Sequence, residues 1–248
     1  MRMNFCEKNI DEAAAACYNF SGKKIEKRGW KNLDGVTLVE NPLISHYMGI
    51  IRDRESDKNA FSNAIEALVY LMIPEITNDL KTSEKAILTP LAEARVDYFC
   101  ENVLIIPILR AGMAMLEPLK RIIPNTVFGY FGMKRVTDSA TSAIYAEMHF
   151  SNLPPNLGDY QIMILDIVIA TASSISRAIE NLLALGAKQE NIQIVGILAA
   201  RPGIEILQKH FPKINISVCA IDEKLDENGY IVPGLGDAGD RYNGYVSH

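Results

Sequence analysis

The sequence predicts an α/β fold: a doubly wound, mostly parallel sheet flanked by helices, with a protruding hairpin arm. Three observations predict it. Val103–Ile108, Ile162–Leu165 and Ile192–Leu198 are apolar runs without polar alternation, the pattern of strands covered on both faces. Segments of helical period separate these runs, and strands alternating with helices build parallel sheets. The chain has 248 residues and is 48% hydrophobic, enough for one large core.

Taken in order, residues 1–40 read as an N-terminal appendage and 41–248 as one domain. Within the appendage Asp11–Ala16 favours a short helix that Gly22-Lys23-Lys24 ends, and Trp30 sits in a loop. From Asn59 to Asp79 the apolar residues Phe61, Ile65, Leu68, Val69, Met72 and Ile76 recur at helical spacing, with Asp57 placed to cap. Ile87–Thr89 and Val96–Phe99 flank a polar turn and predict a hairpin. The alternation follows: strand Val103–Ile108, helix Ala111–Ile122, strand Thr126–Phe131, strand Ile162–Leu165, helix Ser174–Leu185. Gly186 stops that helix. Strand Ile192–Leu198, helix Ile204–His210 and strand Ile214–Ala220 complete the pattern. Residues 136–150 are less regular and predict an arm that protrudes over a site or onto a partner subunit.

Composition narrows the function. The net charge of −5 argues against a nucleic-acid surface, which needs a basic stripe. Cys6, Cys17, Cys100 and Cys219 are scattered, without CxxC spacing or a nearby His. A disulfide framework or a structural metal is therefore not expected, and free thiols point to the cytoplasm. No run of about 18 apolar residues is present, so no membrane span is expected, and the N-terminus lacks the apolar region of a signal peptide.

Ligands of doubly wound sheets bind beyond the carboxyl ends of the strands, and three strand ends carry chemistry. Arg110 directly follows an apolar strand in Pro107-Ile108-Leu109-Arg110-Ala111-Gly112; its planar fork suits phosphate oxygens. Gly132-Met133-Lys134-Arg135 puts further cations after Phe131. In Asp166-Ile167-Val168-Ile169-Ala170-Thr171-Ala172-Ser173-Ser174 a buried strand ends in a carboxylate, and a loop of small and hydroxylated residues opens a helix. A helix start presents unpaired N–H groups and partial positive charge, a cradle for phosphate. Ser173 or Ser174 is placed to cap that helix. A fourth segment, Gly229 to Arg241, holds four glycines, one proline and two aspartates in thirteen residues. So little side chain leaves a bent backbone able to read a planar ligand with its own N–H and C=O groups.

Asp166 to Ser174 resembles the phosphoribosyl-pyrophosphate loop of type I phosphoribosyltransferases. Gly229 to Arg241 is similar to the uracil-binding segment of uracil phosphoribosyltransferases. Pro107–Gly112, His46–Asp53 and Thr89–Arg95 resemble that family too, in the family's order over residues 41 to 244. The resemblance implies transfer of ribose 5-phosphate to N1 of uracil, giving UMP and pyrophosphate, with Mg²⁺ accompanying the pyrophosphate. It also implies a homodimer or dimer of dimers. Carried over by position, Arg110 and Arg135 contact the pyrophosphate, and Asp166 faces the ribose hydroxyls. Asp166, Ile167, Val168, Ile169, Ala170, Thr171, Ala172, Ser173 and Ser174 form the donor loop, with Ala170 to Ser174 on the 5-phosphate. Ile231, Gly236 and Ala238 pair with uracil through backbone groups, and Asp237 touches the donor ribose or its metal. Asp237, Arg110 and Asp166 are the residues on which catalysis would rest.

Two departures stand out. The family loop usually reads Asp-Pro and later Thr-Gly-Gly-Ser, whereas Ile167, Ala172 and Ser173 replace the proline and both glycines here. A non-glycine residue in left-handed geometry costs roughly 1–2 kcal/mol, which predicts a loss in donor affinity on the order of tenfold. Val136 stands where an acidic residue usually follows Arg135. These changes keep a second reading in view: a degenerate phosphoribosyltransferase that binds uracil or a nucleotide and regulates.

Overall fold

The structure, a computed structural model, describes residues 34–137 and 144–244; the side chains at 134, 135, 137 and 144–146 lie outside that description. The expected helix at 11–16 and the Trp30 loop fall outside the described residues. The compact unit described here begins at Gly35.

Its first strand, β1 (Val36–Leu38), leads into α1 (Pro42–Arg52), an element for which the sequence reading had no expectation. Asn41 caps α1 by accepting from the Leu43 N–H at 2.9 Å, and Pro42 occupies the first turn, where a missing N–H is harmless. Next comes α2 (Lys58–Ile76), with Asp57 accepting from the Ala60 N–H at 2.8 Å, so the expected helix and its cap are both present. The hairpin is present as well: β2 (Thr82–Leu88) pairs antiparallel with β3 (Glu93–Phe99) as a separate two-stranded sheet.

The alternating part follows as β4 (Val103–Leu109), a 3-10 turn at Ala111–Met115, α3 (Leu116–Ile122), β5 (Thr126–Phe128), β6 (Tyr130–Thr137), β7 (Ile144–Asn152) and β8 (Gln161–Ile169). After these come α4 (Ser173–Ala184), β9 (Ile192–Ala200), α5 (Arg201–His210), β10 (Asn215–Val218) and β11 (Ala220–Asp222). The chain closes with a small hairpin, β12 (Lys224–Leu225) and β13 (Ile231–Val232), and a short helix, α6 (Ala238–Asn243). The central sheet runs β1-β10-β9-β8-β4-β6-β7, with β5 beside β4 and β11 beside β9. All its pairings are parallel except β6 with β7.

Four expectations are corrected. The helix expected over 111–122 is a 3-10 turn followed by α3, and the strand expected over 126–131 breaks at Gly129 into β5 and β6. Residues 136–150 are regular rather than irregular where described: β6 and β7 form the hairpin arm, an antiparallel pair continuing the sheet edge. The strand thought to end at Leu165 continues to Ile169, because Ile167, Val168 and Ile169 extend its apolar run.

Both sheet faces are covered. Val103, Ile105, Met163, Leu165, Val195 and Ile197 join the core beneath α1 and α2, where Phe61, Ile65, Leu68 and Met72 are fully buried. The alternate residues Leu104, Ile106, Ile162, Ile164 and Ile194 are equally inaccessible. Adjacent strand residues point to opposite faces, so only a sheet sandwiched between helices buries both sets.

Candidate functional site

A cavity of about 260 Å³ opens beyond the carboxyl ends of β4 and β8, where such sheets bind ligands. It is built from strand ends set side by side by the register, which places Ile106 of β4 against Ile164 of β8 and Ile108 of β4 against Phe131 of β6. Leu109, Arg110 and Ala111 close β4, Met133 of β6 lines one wall, and the β8–α4 connection forms the floor. The opposite wall comes from 229–231 and 235–239.

Asp166 faces the cavity from within β8, opposite Gly196 of β9. Burial pushes its carboxyl up to about 7, against the pull of the Val168 and Ile167 backbone N–H groups. The carboxyl is enclosed by protein yet opens onto the cavity, so water there offsets part of that push. A carboxyl in this state can hold or release a proton near neutrality and accept hydrogen bonds from hydroxyls.

From Asp166 the chain runs through Ala170 and Thr171 to Ala172, the residue at the N-terminus of α4, with φ 60° and ψ 5°. Ala172 has no side-chain oxygen and no capping bond is made there, so neither Ser173 nor Ser174 is the cap; both lie inside the first turn and line the cavity. The start of this twelve-residue helix is thus turned toward the cavity, and an anion is its natural complement. Only one of the two positions where glycine is usual takes left-handed geometry: Ala172 does, whereas Ser173 is helical. Gly203 in the first turn of α5 packs so closely on the Ala170 carbonyl that a Cβ would collide with it, which holds the loop down.

The 229–239 wall stands on β12–β13. Asp226 accepts from the Asn228 and Tyr230 N–H groups, at 2.9 and 2.8 Å, and closes that hairpin. Beyond it Gly234 takes φ +65°, and a Cβ there would strike the Ile231 carbonyl. Asp237 caps α6 by accepting from the Asp240 N–H at 2.8 Å, while Asp240 Oδ1 lies 3.8 Å from Arg110 Nη2. The two halves of the site therefore touch through Arg110 and Asp240.

Most residues expected from the sequence meet here: Arg110, Asp166, Val168, Ile169, Ala170, Thr171, Ala172, Ser173, Ser174, Ile231, Gly236, Asp237 and Ala238 all line the cavity. Ile167 does not; its side chain is fully buried in the core and only its backbone N–H serves Asp166. The backbone of Arg135 pairs with Ala146 in the β6–β7 hairpin, and its side chain lies outside the described residues. Met133, Ile175 and Leu235, which also line the cavity, and Asp240 have no individual role in the sequence pattern. Asp240 offered a signal in its spacing, three residues after Asp237, the reach of a capped first turn.

A family model described as uracil phosphoribosyltransferase matches residues 38–244. The chain belongs to the uracil phosphoribosyltransferase family. Among curated relatives, a uracil phosphoribosyltransferase of Lactococcus lactis is 38% identical over 208 residues, 84% of this chain and 97% of the relative. Another, of Kocuria rhizophila, is 39% identical over 216 residues, 85% and 99% of the two chains. A solved structure of a protein from Aquifex aeolicus superposes with a TM-score of 0.77 at 29% identity, covering 86% of this chain and 99% of its own. In this uracil phosphoribosyltransferase family member the cavity is lined by residues of Asp166 to Ser174 and of Gly229 to Gly239.

Proposed function

We propose that the chain transfers ribose 5-phosphate from phosphoribosyl pyrophosphate to N1 of uracil, giving UMP and pyrophosphate in pyrimidine salvage. The observation that carries this reading is the meeting of the anion-seeking start of α4 and the backbone-rich 229–239 wall in one cavity. In the reaction the bond from ribose C1 to pyrophosphate oxygen breaks, a bond to N1 forms, and the N1 proton leaves. Ala170 to Ser174 hold the 5-phosphate, and Asp166 accepts from the ribose hydroxyls. Arg110, together with Arg135, stabilises the departing pyrophosphate. Backbone groups of Ile231, Gly236 and Ala238 match the acceptor–donor–acceptor edge of uracil; cytosine would leave buried groups unpaired. Asp237 reaches the donor ribose or its metal.

Asp166 and Asp237 are the carboxylates lining the cavity, and no cluster of three metal-ligating side chains occurs among the described residues. Such a set fits Mg²⁺ held mainly through the donor's own oxygens. When bound, the ion neutralises charge on the leaving pyrophosphate.

The working form is a homodimer or dimer of dimers. Support comes from the β2–β3 hairpin, whose tip leaves Leu88 and Leu91 85% and 96% exposed, an apolar display suited to a second subunit. The expected appendage ends before Gly35, since β1 (Val36–Leu38) pairs with β10 in the central sheet. The setting is the cytoplasm, where Cys100 and Cys219 stay as thiols. No helix among the described residues is long and apolar enough to cross a membrane.

The test supplies labelled uracil, phosphoribosyl pyrophosphate and Mg²⁺ and looks for UMP. Absence of UMP, with measurable UMP binding, would replace this reading with that of a regulatory nucleotide-binding protein.

A further inference from the structure

We infer that Arg52 and Asp222, with Arg241, are positioning residues that set the pose of the base-reading segment and so determine how tightly the protein takes its base. The inference rests on the reading of 229–239 as the uracil wall. Arg52 is the last residue of α1, and Asp222 the last of β11. The guanidinium grips the carboxylate in a fork: Nη1 donates to Oδ2 at 2.8 Å and Nη2 to Oδ1 at 2.9 Å. Both then hold one residue of the base segment through the peptide units on either side of it. Arg52 Nη1 donates to the Gly234 carbonyl at 2.9 Å, and Asp222 Oδ2 accepts from the Gly234 N–H at 2.9 Å. Gly234, in its left-handed conformation, is thus fixed on both its donor and its acceptor.

Arg241 ties down the next residue. Its Nη1 donates to the Leu235 carbonyl at 2.8 Å and to the Ile51 carbonyl, and its Nη2 to the Asp53 carbonyl at 2.6 Å. The guanidinium lies 4.4 Å from the centre of the Phe61 ring, a stacking contact that holds it in place. The C-terminal end of α1 and residues 234–235 are therefore cross-tied by two guanidiniums. A cation at a helix C-terminus also complements the dipole there.

None of the three side chains lines the cavity, so they act on the base through Gly234, Leu235 and the residues that follow, Gly236 to Ala238. Asp222 is 8% exposed; a carboxylate so buried is tolerated because a bidentate arginine and a backbone N–H satisfy it. A site that reads its ligand with main-chain groups has no side chains to readjust, so the cost of ordering the backbone falls directly on base affinity.

The test measures steady-state kinetics of Arg52→Lys and Asp222→Asn against the unaltered protein, with uracil and the donor varied separately. Lysine keeps the charge and loses the fork; asparagine keeps the shape and loses the charge. The expected result is a uracil KM raised about tenfold or more, a donor KM within about twofold, and lowered preference for uracil over cytosine. Lost folding alone would lower kcat through the active fraction and leave both KM values and the base preference in place; thermal unfolding of each variant reports that fraction. Should Asp222→Asn fail to fold, Arg52→Lys decides the matter. An unaltered protein that makes UMP, with variant uracil KM values within about twofold of it, overturns this inference alone. An unaltered protein that makes no UMP overturns the reading of the site and this inference with it.

Discussion

Asp166→Asn isolates the cost of keeping a carboxylate in the sheet. Burial raises the Asp166 carboxyl from 3.8 to about 7, and each unit corresponds to about 1.4 kcal/mol. The full shift is on the order of 4 kcal/mol, which water in the open cavity reduces to about 2 kcal/mol. The folded carboxyl binds its proton more tightly than the unfolded one. Its favourable contribution is therefore complete below about pH 4 and is lost as the pH rises through about 7. Asparagine has no proton to lose. The variant should gain on the unaltered protein by about 2–4 kcal/mol between pH 4 and pH 8, measured as the difference in urea-unfolding free energy at each pH. At the same time UMP formation should fall sharply, because the amide donates toward hydroxyls that the carboxylate would accept from. A stability gap flat across that pH range would refute the placement of the carboxyl as the protein's buried acid.

Other outcomes follow from the same geometry. Ala172 holds φ 60° in the folded chain, so the cost of its conformation falls on folding rather than on donor binding. Ala172→Gly should therefore leave donor KM within about twofold and exceed Ser173→Gly in unfolding free energy by about 1 kcal/mol, since only the latter places glycine in a helix; a tenfold drop in donor KM for Ala172→Gly would restore the affinity expectation drawn from the sequence. Asp237→Asn keeps an acceptor for the Asp240 N–H, so thermal stability should change by less than about 0.5 kcal/mol while turnover falls about 100-fold; near-normal turnover would remove Asp237 from catalysis. Asp240→Asn loosens a 3.8 Å, largely exposed pair with Arg110, worth at most about 1 kcal/mol, and should lower donor KM several-fold by releasing Arg110 toward pyrophosphate; a raised donor KM would show that Asp240 orients the arginine instead.

Local signals carried much of the fold. The α2 helix was legible because its apolar period and its Asp57 cap agree, and β4, β8 and β9 because continuous apolar runs have few alternatives. The donor side was legible because its residues are contiguous along one strand–turn–helix. Two kinds of feature were not. At Asp166 a polar residue inside a strand looked like its end, since nothing local shows that Gly196 lies opposite and that the cavity begins there. The Arg52–Asp222 pair joins residues separated by 170 positions, and no spacing rule reaches that far. The α1 helix was the avoidable omission: Asn41-Pro42 is a legible helix start.

The division of the site along the chain has a consequence for how the molecule comes into being. Asp166 to Ser174 lie contiguously along one strand and the helix after it. The base side needs β9, α5, β10 and β11 in place first, because Gly234 is held by Asp222 at the end of β11 and by Arg52 from the opposite end of the chain. Contacts between residues so distant in sequence are entropically the most expensive to close. The phosphate cradle should therefore gain amide-exchange protection before residues 234–241 do in a refolding pulse-labelling experiment. On the proposed reading of the site, a chain arrested short of β11 would carry a phosphate cradle and no means of choosing a base, so selectivity would be the last property acquired in folding.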